Sequence, residues 1–283
     1  MIGMVYSLVA LGFVVIYKAS GILNFAQGEL LVLGAFVCWS TIAQLHLPVW
    51  VSLLVVFVYC IVLGFIIERS ILRHMIGQSL VAIMMMTIGL SQIIRGIIIL
   101  IWGATVQYYP KGFIPAEVWK IGAVSLPAQQ VWSFAVAALL VVGLIVVFQY
   151  TRIGVVMRAA SEDQLAAQAS GVKVGNVFAY SWVIATLVAA AGGILLGSMT
   201  EVSLDLGFLG LAVFPVVVGG GLDSIIGAVI CGPLVGILES VAVVYIDEIV
   251  GSGTKAIIPY VFLFLFLMFR PHGIFGQKQI ERV

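Results

Sequence analysis

The segment Leu80–Trp102 reads LVAIMMMTIGLSQIIRGIIILIW and contains one charged side chain, Arg95. An α-helix needs about 20 mainly apolar residues to cross the hydrocarbon core of a bilayer, so this segment is long enough to span a membrane. Apolar segments of similar length recur along the chain and are separated by short polar stretches. They predict an all-α fold, in which residues 1–283 form a single domain, a polytopic transmembrane helical bundle.

The composition of the whole chain supports a membrane location. Hydrophobic residues make up 63% of the sequence and charged residues 9%, whereas soluble domains contain roughly 25% charged residues. The strands of an outer-membrane barrel alternate between apolar and polar positions, and these segments are apolar throughout. Helices are therefore favoured over a barrel, and the net charge of +1 gives no indication of nucleic-acid binding.

The candidate spans are Ile2–Tyr17, Leu30–Leu45, Val49–Ile67, Leu80–Trp102, Val131–Phe148, Val177–Met199, Gly207–Gly221, Ile225–Ile246 and Ala256–Phe269. This set predicts about 8–9 spans, because Gly207–Gly221 is too short to cross the core comfortably. It contains Pro215 and a run of three glycines at its end. It is either a broken, re-entrant segment that could line a path inside the bundle, or a short helix followed by a tight turn.

The basic residues indicate which loops face the cytoplasm, since cytoplasmic loops carry an excess of Lys and Arg. They fall into three groups, which the count of nine spans puts on one side: Arg69 and Arg73; Arg152, Arg158 and Lys173; Arg270, Lys278 and Arg282. The loop 151–176 is therefore expected in the cytoplasm and the loop 103–130 outside. The outer loop carries Tyr108, Tyr109 and Trp119, which suit a membrane interface.

Ionisable side chains within the spans are candidates for function, because each is costly in the membrane unless it is paired or hydrated. Arg95 and Glu239 lie at similar fractions of spans that run in the same direction, so an ion pair between them is possible. A pair that locks the bundle, or two separately hydrated side chains, is favoured over direct contact with a substrate. Ser91 and Gln92 share the span of Arg95 and could line a polar path with it.

The polar string between the first two spans, from Asn24 through Gln27 to Glu29, has two interpretations. Asn24 could cap the second helix, with Gln27 or Glu29 completing the capping arrangement. Alternatively, the helix N-terminus could bind an anionic or zwitterionic ligand. The charge bias places the string toward the cytoplasm, which favours capping.

The sequence contains little that suggests catalysis or a cofactor. It lacks the Gly-rich string that ends in Gly-Lys-Ser/Thr and cradles phosphates, and it lacks the common hydrolase and zinc-protease motifs. Cys38, Cys60 and Cys231 are interpreted as packing residues, and the histidines as interfacial residues. We therefore predict neither an enzyme nor a metal or cofactor site, and the first apolar run is interpreted as a span rather than a cleaved signal.

Several strings resemble the permease subunits of ABC importers for branched-chain (hydrophobic) amino acids, and they extend over almost the whole chain. They are YSLVALG (6–12), ILNFAQGE (22–29), TIGLS (87–91), RAASED (158–163) and RPHGIFG (270–276). The resemblance implies a multi-pass protein of the bacterial inner membrane that forms a translocation path. It also implies partners: a second homologous permease, two ATPase subunits that bind the ATP, and a periplasmic substrate-binding protein. Alternatives are a substrate such as urea, a short amide or an aromatic acid, or a stand-alone transporter or channel.

The resemblance also suggests a role for the charged, alanine-rich stretch Thr151–Asn176, which we call the island. ABC-importer permeases carry a cytoplasmic Glu-Ala-Ala-x-x-x-Gly signature that forms a coupling helix against the ATPase. Here Leu165 stands in place of the Glu, while two alanines and a glycine keep the spacing. The predicted ATPase-coupling residues are Arg158, Glu162, Asp163, Ala166, Ala167 and Gly171. The alternative is that the island is a solvated loop without a role in coupling.

Overall fold

A computed structural model describes residues 1–75, 78–110, 112–114, 117–121, 124–162, 164–247, 254–270 and 273–276, and all structural statements refer to these residues. The helices are α1 (Ile2–Ser20), α2 (Gln27–Trp39), α3 (Val49–Ser70), α4 (Leu80–Trp102), α5 (Ala128–Tyr150), α6 (Arg152–Glu162), α7 (Gln164–Ala169), α8 (Val174–Met199), α9 (Leu206–Ala212), α10 (Phe214–Gly220), α11 (Ile225–Tyr245) and α12 (Thr254–Phe269). A π-helical turn, Ser40–Gln44, extends α2, and a 3-10 turn, Leu72–Met75, follows α3. Lys278 and Arg282 lie outside the described residues.

The predicted all-α bundle is confirmed, but the predicted number of spans is not. Among the described residues, 6 helices are long and apolar enough to cross a membrane, namely α1, α3, α4, α5, α8 and α11. The apolar segments Leu206–Gly220 and Ile257–Phe269 are shorter. The helix α2 has 13 residues before its π-helical turn.

Two central helices, α1 and α8, are largely buried, whereas α3, α4 and α5 expose most of their surface. The helix α1 packs against α8 and α11, while α2 and α3 both pack against α8. The short helix α2 is also almost completely buried. The hydrophobic core is therefore formed around α1, α2 and α8, and the exposed apolar sides of the outer helices face their surroundings.

Described members of the three basic groups that the charge pattern assigned to one side lie at one end of the bundle. Arg73 lies beside the start of α8, where a Cβ on Gly175 would be 3.6 Å from its guanidinium. The island packs on the neighbouring ends of α1, α5 and α8, and Ile225 at the start of α11 joins the same cluster. The C-terminal segment returns to this end as well, where the amide of Ile274 donates to the carbonyl of Gly219 at 2.9 Å. We call this the inner end.

The opposite end is held together by the loop between α4 and α5. The indole of Trp39 donates to the carbonyl of Tyr108 at 3.1 Å, and the hydroxyl of Tyr109 donates to the carbonyl of Ala35 at 2.9 Å. The exposed Tyr108 hydroxyl donates to the carboxylate of Glu201, and this hydrogen bond raises the pKa of Tyr108. Tyr109 is therefore a packing residue rather than an exposed interfacial anchor.

The same loop contains a small antiparallel hairpin that the sequence analysis did not predict. Its strands are β1 (Val118–Ile121) and β2 (Val124–Pro127), and Trp119 pairs with Leu126. The side chain of Trp119 is exposed, as a residue at the membrane interface would be.

Candidate functional site

The charge bias predicted that the Asn24–Glu29 string lies toward the cytoplasm. The structure instead places the string in the middle of the bundle. The amide of Gln27 donates to the carbonyl of Ala185, near the middle of α8, at 3.2 Å. A Cβ on Gly12, near the middle of α1, would overlap the same amide nitrogen. The chain therefore turns at Gly21, beyond the end of α1, and returns as non-helical backbone to mid-bundle before α2 begins.

The predicted capping arrangement is wrong. The first helical residue of α2 is preceded by Ala26, and no side chain caps the helix. The carboxamide oxygen of Asn24 instead accepts from the amide of Ala26 at 3.0 Å, and its nitrogen donates to Gln27 at 3.2 Å. These bonds satisfy a buried, non-helical turn, which is tolerated at membrane depth only where protein or water supplies partners.

Arg95 pairs with Glu29 and not with Glu239. An Nη of Arg95 lies 3.5 Å from Oε1 of Glu29. Glu239 instead accepts a hydrogen bond from the Tyr6 hydroxyl at 3.0 Å. The predicted pair fails because similar depth does not make helices neighbours: α4 packs on α2, while α11 packs on α1. The polar groups that a membrane enzyme would need around Arg95 and Glu239 therefore do not converge.

The Glu29 carboxylate is only half satisfied. Its side chain is 7% exposed, and Oε2 has no hydrogen-bond partner within the described part of the chain. Arg95 is more open, with 29% of its side chain exposed, and its guanidinium lies 5.4 Å from the centre of the Phe208 ring. Three elements therefore meet at this point: α2 supplies the carboxylate, α4 the guanidinium and α9 the aromatic ring.

Glycines allow α9 to approach α2 closely enough to form this junction. A Cβ on Gly210 would overlap the backbone of Gly28, and a Cβ on Gly207 would lie 3.0 Å from Oε1 of Glu29. Backbone contact of this kind is typical of small residues at helix interfaces in membranes. Phe208, between these glycines in sequence, points its ring to the exposed side.

A polar strip continues along α4 from this junction. Ser91 is four residues before Arg95 and Gln92 is three, so all three share one side of the helix. Ser91 is half-buried and Gln92 is exposed. One turn earlier, the Thr87 hydroxyl bonds to the non-helical segment, accepting from the amide of Phe25 at 3.4 Å. The structure thus brings Glu29, Arg95, Ser91 and Gln92 together.

The segment that contains Pro215 is broken, as one of the two interpretations predicted. It forms α9 and α10, which meet at Val213, and Pro215 lies in the first turn of α10. Pro215 itself is buried. The Phe214 ring before it stacks on Phe25, with ring centres 6.4 Å apart. The break therefore lies beside the Asn24–Glu29 string, although Pro215 does not face the polar strip.

Sequence reasoning missed Phe208 and Thr87. Phe208 had a usable signal, since an aromatic residue between glycines in a broken segment can lie at a close helix crossing. Thr87 had none, because a threonine in an apolar span most often bonds to its own helix, as Thr87 also does with the carbonyl of Met84. Within the described residues, no cluster of three His, Cys, Asp or Glu side chains could hold a metal ion.

The island forms two short helices, α6 and α7, and one side of them is internal. Met157, Ala160 and Ala167 are buried in a cluster with Ala19 of α1. The guanidinium of Arg158 donates to the carbonyl of Phe148 in the last turn of α5. Arg158 and Ala167 therefore hold the island onto the bundle, and neither side chain is directed away from it.

The other side of the island is exposed. Ala159, Glu162 and Ala166 follow one another at helical spacing, and all are exposed. Gly171 follows α7 with a φ of 88°, a left-handed conformation that favours glycine, and its Cα faces open space. Asp163 lies outside the described residues. The predicted coupling residues thus separate into a buried set and an exposed set.

The architecture and the site together define a class of protein. A bundle that combines a polar strip on one apolar helix, a broken helix and non-helical backbone at mid-depth has the features of a membrane permease. Residues 1–269 match the family described as "Branched-chain amino acid transport system / permease component", and the chain belongs to this family.

Its relatives match over most of their own length and have similar names. The chain is 29% identical over 296 residues to the high-affinity branched-chain amino acid transport system permease protein BraD of Pseudomonas aeruginosa, covering 100% of this chain and 95% of BraD. It is 30% identical over 297 residues to the corresponding permease protein LivH of Escherichia coli K12, covering 100% of this chain and 94% of LivH. A probable LivH of Methanocaldococcus jannaschii is 28% identical, covering 98% of this chain and 90% of the relative.

One solved structure has a similar fold. It is PsaBC from Streptococcus pneumoniae in complex with Fab, with a TM-score of 0.52 and 14% sequence identity. The match covers 95% of this chain and 90% of the other. At this level of identity the likeness concerns the fold alone.

Proposed function

We propose that this chain is the permease subunit of an ABC importer and forms the translocation path for branched-chain and other hydrophobic amino acids. The observation that carries the proposal is the polar strip of α4 beside the broken helix. Polar and charged groups at this depth are costly in contact with lipid, and they typically face a bundle interior or a hydrated cavity. In a single chain the strip is partly exposed, so a second permease would have to enclose it together with the path.

The importer would contain four further subunits or domains of three kinds. A second homologous permease covers the strip, two ATPase subunits bind and hydrolyse ATP at the inner end, and a periplasmic binding protein delivers substrate to the outer end. This arrangement places the chain in the inner membrane as a multi-pass protein. The names of its relatives support the partnership, since each is called a permease protein of a transport system.

The island is the proposed contact with an ATPase. Its exposed side, formed by Ala159, Glu162 and Ala166, offers small and acidic residues that a groove could accept. Its buried side joins the ends of α1, α5 and α8 through the cluster around Met157. A movement of the ATPase would therefore be passed directly to the helices that form the core.

Uptake by the complete complex tests this function. The chain is purified with its co-expressed permease, ATPases and binding protein, reconstituted in proteoliposomes, and supplied with labelled leucine. We expect uptake that requires ATP and the binding protein. Robust gradient-driven uptake by the chain without partners would refute the proposal and identify a stand-alone transporter.

Competition distinguishes the substrate class. Unlabelled isoleucine and valine should suppress leucine uptake, whereas urea, acetamide and benzoate should not. The alternative substrates are not favoured, because the relatives named above are all called branched-chain amino acid permeases. Suppression by urea or benzoate at concentrations similar to those of isoleucine would overturn this assignment.

A further inference from the structure

We propose that Glu29, Arg95 and Phe208 form a binding site for the zwitterionic head of an α-amino acid within the translocation path. This inference rests on the proposed function and adds the residues and the chemistry of the substrate contact. In it, Arg95 binds the substrate carboxylate, Glu29 binds the substrate ammonium, and the ring of Phe208 contacts the aliphatic side chain.

The guanidinium has unused capacity for a carboxylate. Arg95 makes one contact with Glu29, and its length of 3.5 Å is at the limit of a hydrogen bond. A guanidinium carries five N–H donors in a planar fork, and carboxylates commonly bind to two of them at once. Since 29% of the Arg95 side chain is exposed, a ligand can reach the donors that Glu29 does not occupy.

The carboxylate of Glu29 lacks a donor that an ammonium would supply. Its Oε2 is buried and has no hydrogen-bond partner in the described part of the chain. A buried, unsatisfied oxygen of a charged group is costly, so its retention calls for a ligand or a partner. An ammonium has three donors and can bond to this oxygen while the guanidinium remains close.

The third element is apolar. Phe208 is 56% exposed and Leu211 is 42% exposed. They are three residues apart on α9 and therefore lie on the same side of the helix. Gly207 and Gly210 allow α9 to lie against α2, and the Phe208 ring centre lies 5.4 Å from the guanidinium of Arg95, so this apolar side is next to the charged pair. A short aliphatic side chain attached to the bound zwitterion would lie along it.

The pair of charges also explains why a zwitterion fits better than an ion. Glu29 and Arg95 together carry no net charge, and neither does an α-amino acid at neutral pH. When the zwitterion binds, each buried charge gains a partner and no unmatched charge is added. A ligand with only a carboxylate or only an ammonium would leave one charge in the low-dielectric interior without its counterpart.

The first experiment compares two equivalent substitutions in the reconstituted complex. Glu29→Gln keeps the shape and the bond to Arg95 but cannot accept an ammonium as a carboxylate does, so we expect leucine uptake to fall at least about tenfold. The control is Glu68→Gln, which alters the other carboxylate–arginine pair, where Glu68 lies 3.3 Å from Arg73 at the inner end. The Glu68→Gln side chain keeps an oxygen that can accept from the half-exposed Arg73, so uptake by the control should stay within about twofold of the unmodified complex.

The second experiment detects the ligand directly. The three native cysteines of this chain are buried, so in a Phe208→Cys variant of the complex the maleimide label found on this chain reports on position 208. We expect leucine to slow labelling severalfold, and neither 4-methylpentanoate nor isopentylamine, which lack one charge each, to do so. Labelling of Thr105→Cys, an exposed position in the loop after α4, should not respond to leucine.

The outcomes separate this inference from the proposed function. If the unmodified complex imports leucine but Glu29→Gln imports it equally well, and leucine does not protect Cys at position 208, the site is refuted and the importer stands. Protection by 4-methylpentanoate equal to that by leucine would refute the role of the ammonium. If the unmodified complex imports no hydrophobic amino acid, the proposed function fails first.

Discussion

A single added methyl group at Gly64 should separate α3 from α8. A Cβ at this position would lie 2.8 Å from Cα and 2.9 Å from the amide nitrogen of Val183. Carbon atoms pack best at about 3.5–4.0 Å, so the helices would have to part by roughly 0.7–1 Å. The contact is with backbone, which cannot rotate away, and overpacking of this kind costs about 1–3 kcal/mol.

The same substitution at Gly143 is the matched control. Gly143 is exposed in the middle of α5, and a Cβ there meets nothing within 4 Å. Both variants gain the helix propensity of alanine, up to about 1 kcal/mol, so the difference between them isolates the overlap. At about 2–4 °C per kcal/mol, an overlap that costs about 1–3 kcal/mol should make Gly64→Ala melt roughly 2–12 °C below Gly143→Ala.

Thermal stability measured by size-exclusion chromatography of heated, detergent-solubilised protein provides the comparison. Equal melting temperatures for the two variants would contradict the backbone contact between α3 and α8. A lower melting temperature for Gly143→Ala alone would show that the side of α5 described as exposed is in fact covered.

Three further changes test the island and the start of α2. Ala167→Glu should reduce the yield of folded chain in size-exclusion chromatography, because Ala167 is buried. Ala159→Glu lies on the exposed side of the island, so this variant should fold normally but no longer co-purify with the ATPases. Arg158→Met removes the hydrogen bond to the Phe148 carbonyl and should speed protease cleavage at the α5–α6 corner, with Arg158→Lys intermediate. Gln27→Leu removes the hydrogen bond from α2 to α8 and should lower uptake in proteoliposomes while ATP hydrolysis continues. Unchanged co-purification of Ala159→Glu would contradict the ATPase contact. Unchanged cleavage of Arg158→Met would contradict the role of Arg158 in holding the island, and unchanged uptake by Gln27→Leu would contradict the role of the bond between α2 and α8.

The helices could be predicted from sequence because lipid imposes a length and a composition on each span. Leu80–Trp102 has the same bounds in the structure as in the sequence pattern. The break near Pro215 was also visible, since proline lacks an amide donor and ends the preceding helix. Arg73 and Arg270 lie at the same end of the bundle, as the charge bias predicted. This bias can be recognised from sequence because it is a property of loops, and each loop is a contiguous stretch of the chain.

The contacts between helices could not be predicted in this way. Hydropathy assigns a depth to Arg95 and to Glu239, but it does not specify which helices are neighbours, and so the expected pair was wrong. The predicted depth of the Asn24–Glu29 string was wrong because the charge bias, which applies to loops, was applied to a segment that returns into the bundle. Ile22, Leu23 and the other apolar residues of that segment are more consistent with immersion than with a cytoplasmic loop.

Two helices, α1 and α8, connect the island with the first turn of α2. The inner-end cluster around Met157 includes Ala19 of α1 and Val177 of α8. Farther along the same two helices, Gly12 and Ala185 both contact Gln27, which is the first residue of α2. Helix α8 covers the distance from Val177 to Ala185 in about 12 Å at 1.5 Å per residue. We therefore expect a displacement of the island to reach the first turn of α2, which also carries Glu29, through helices that contact both.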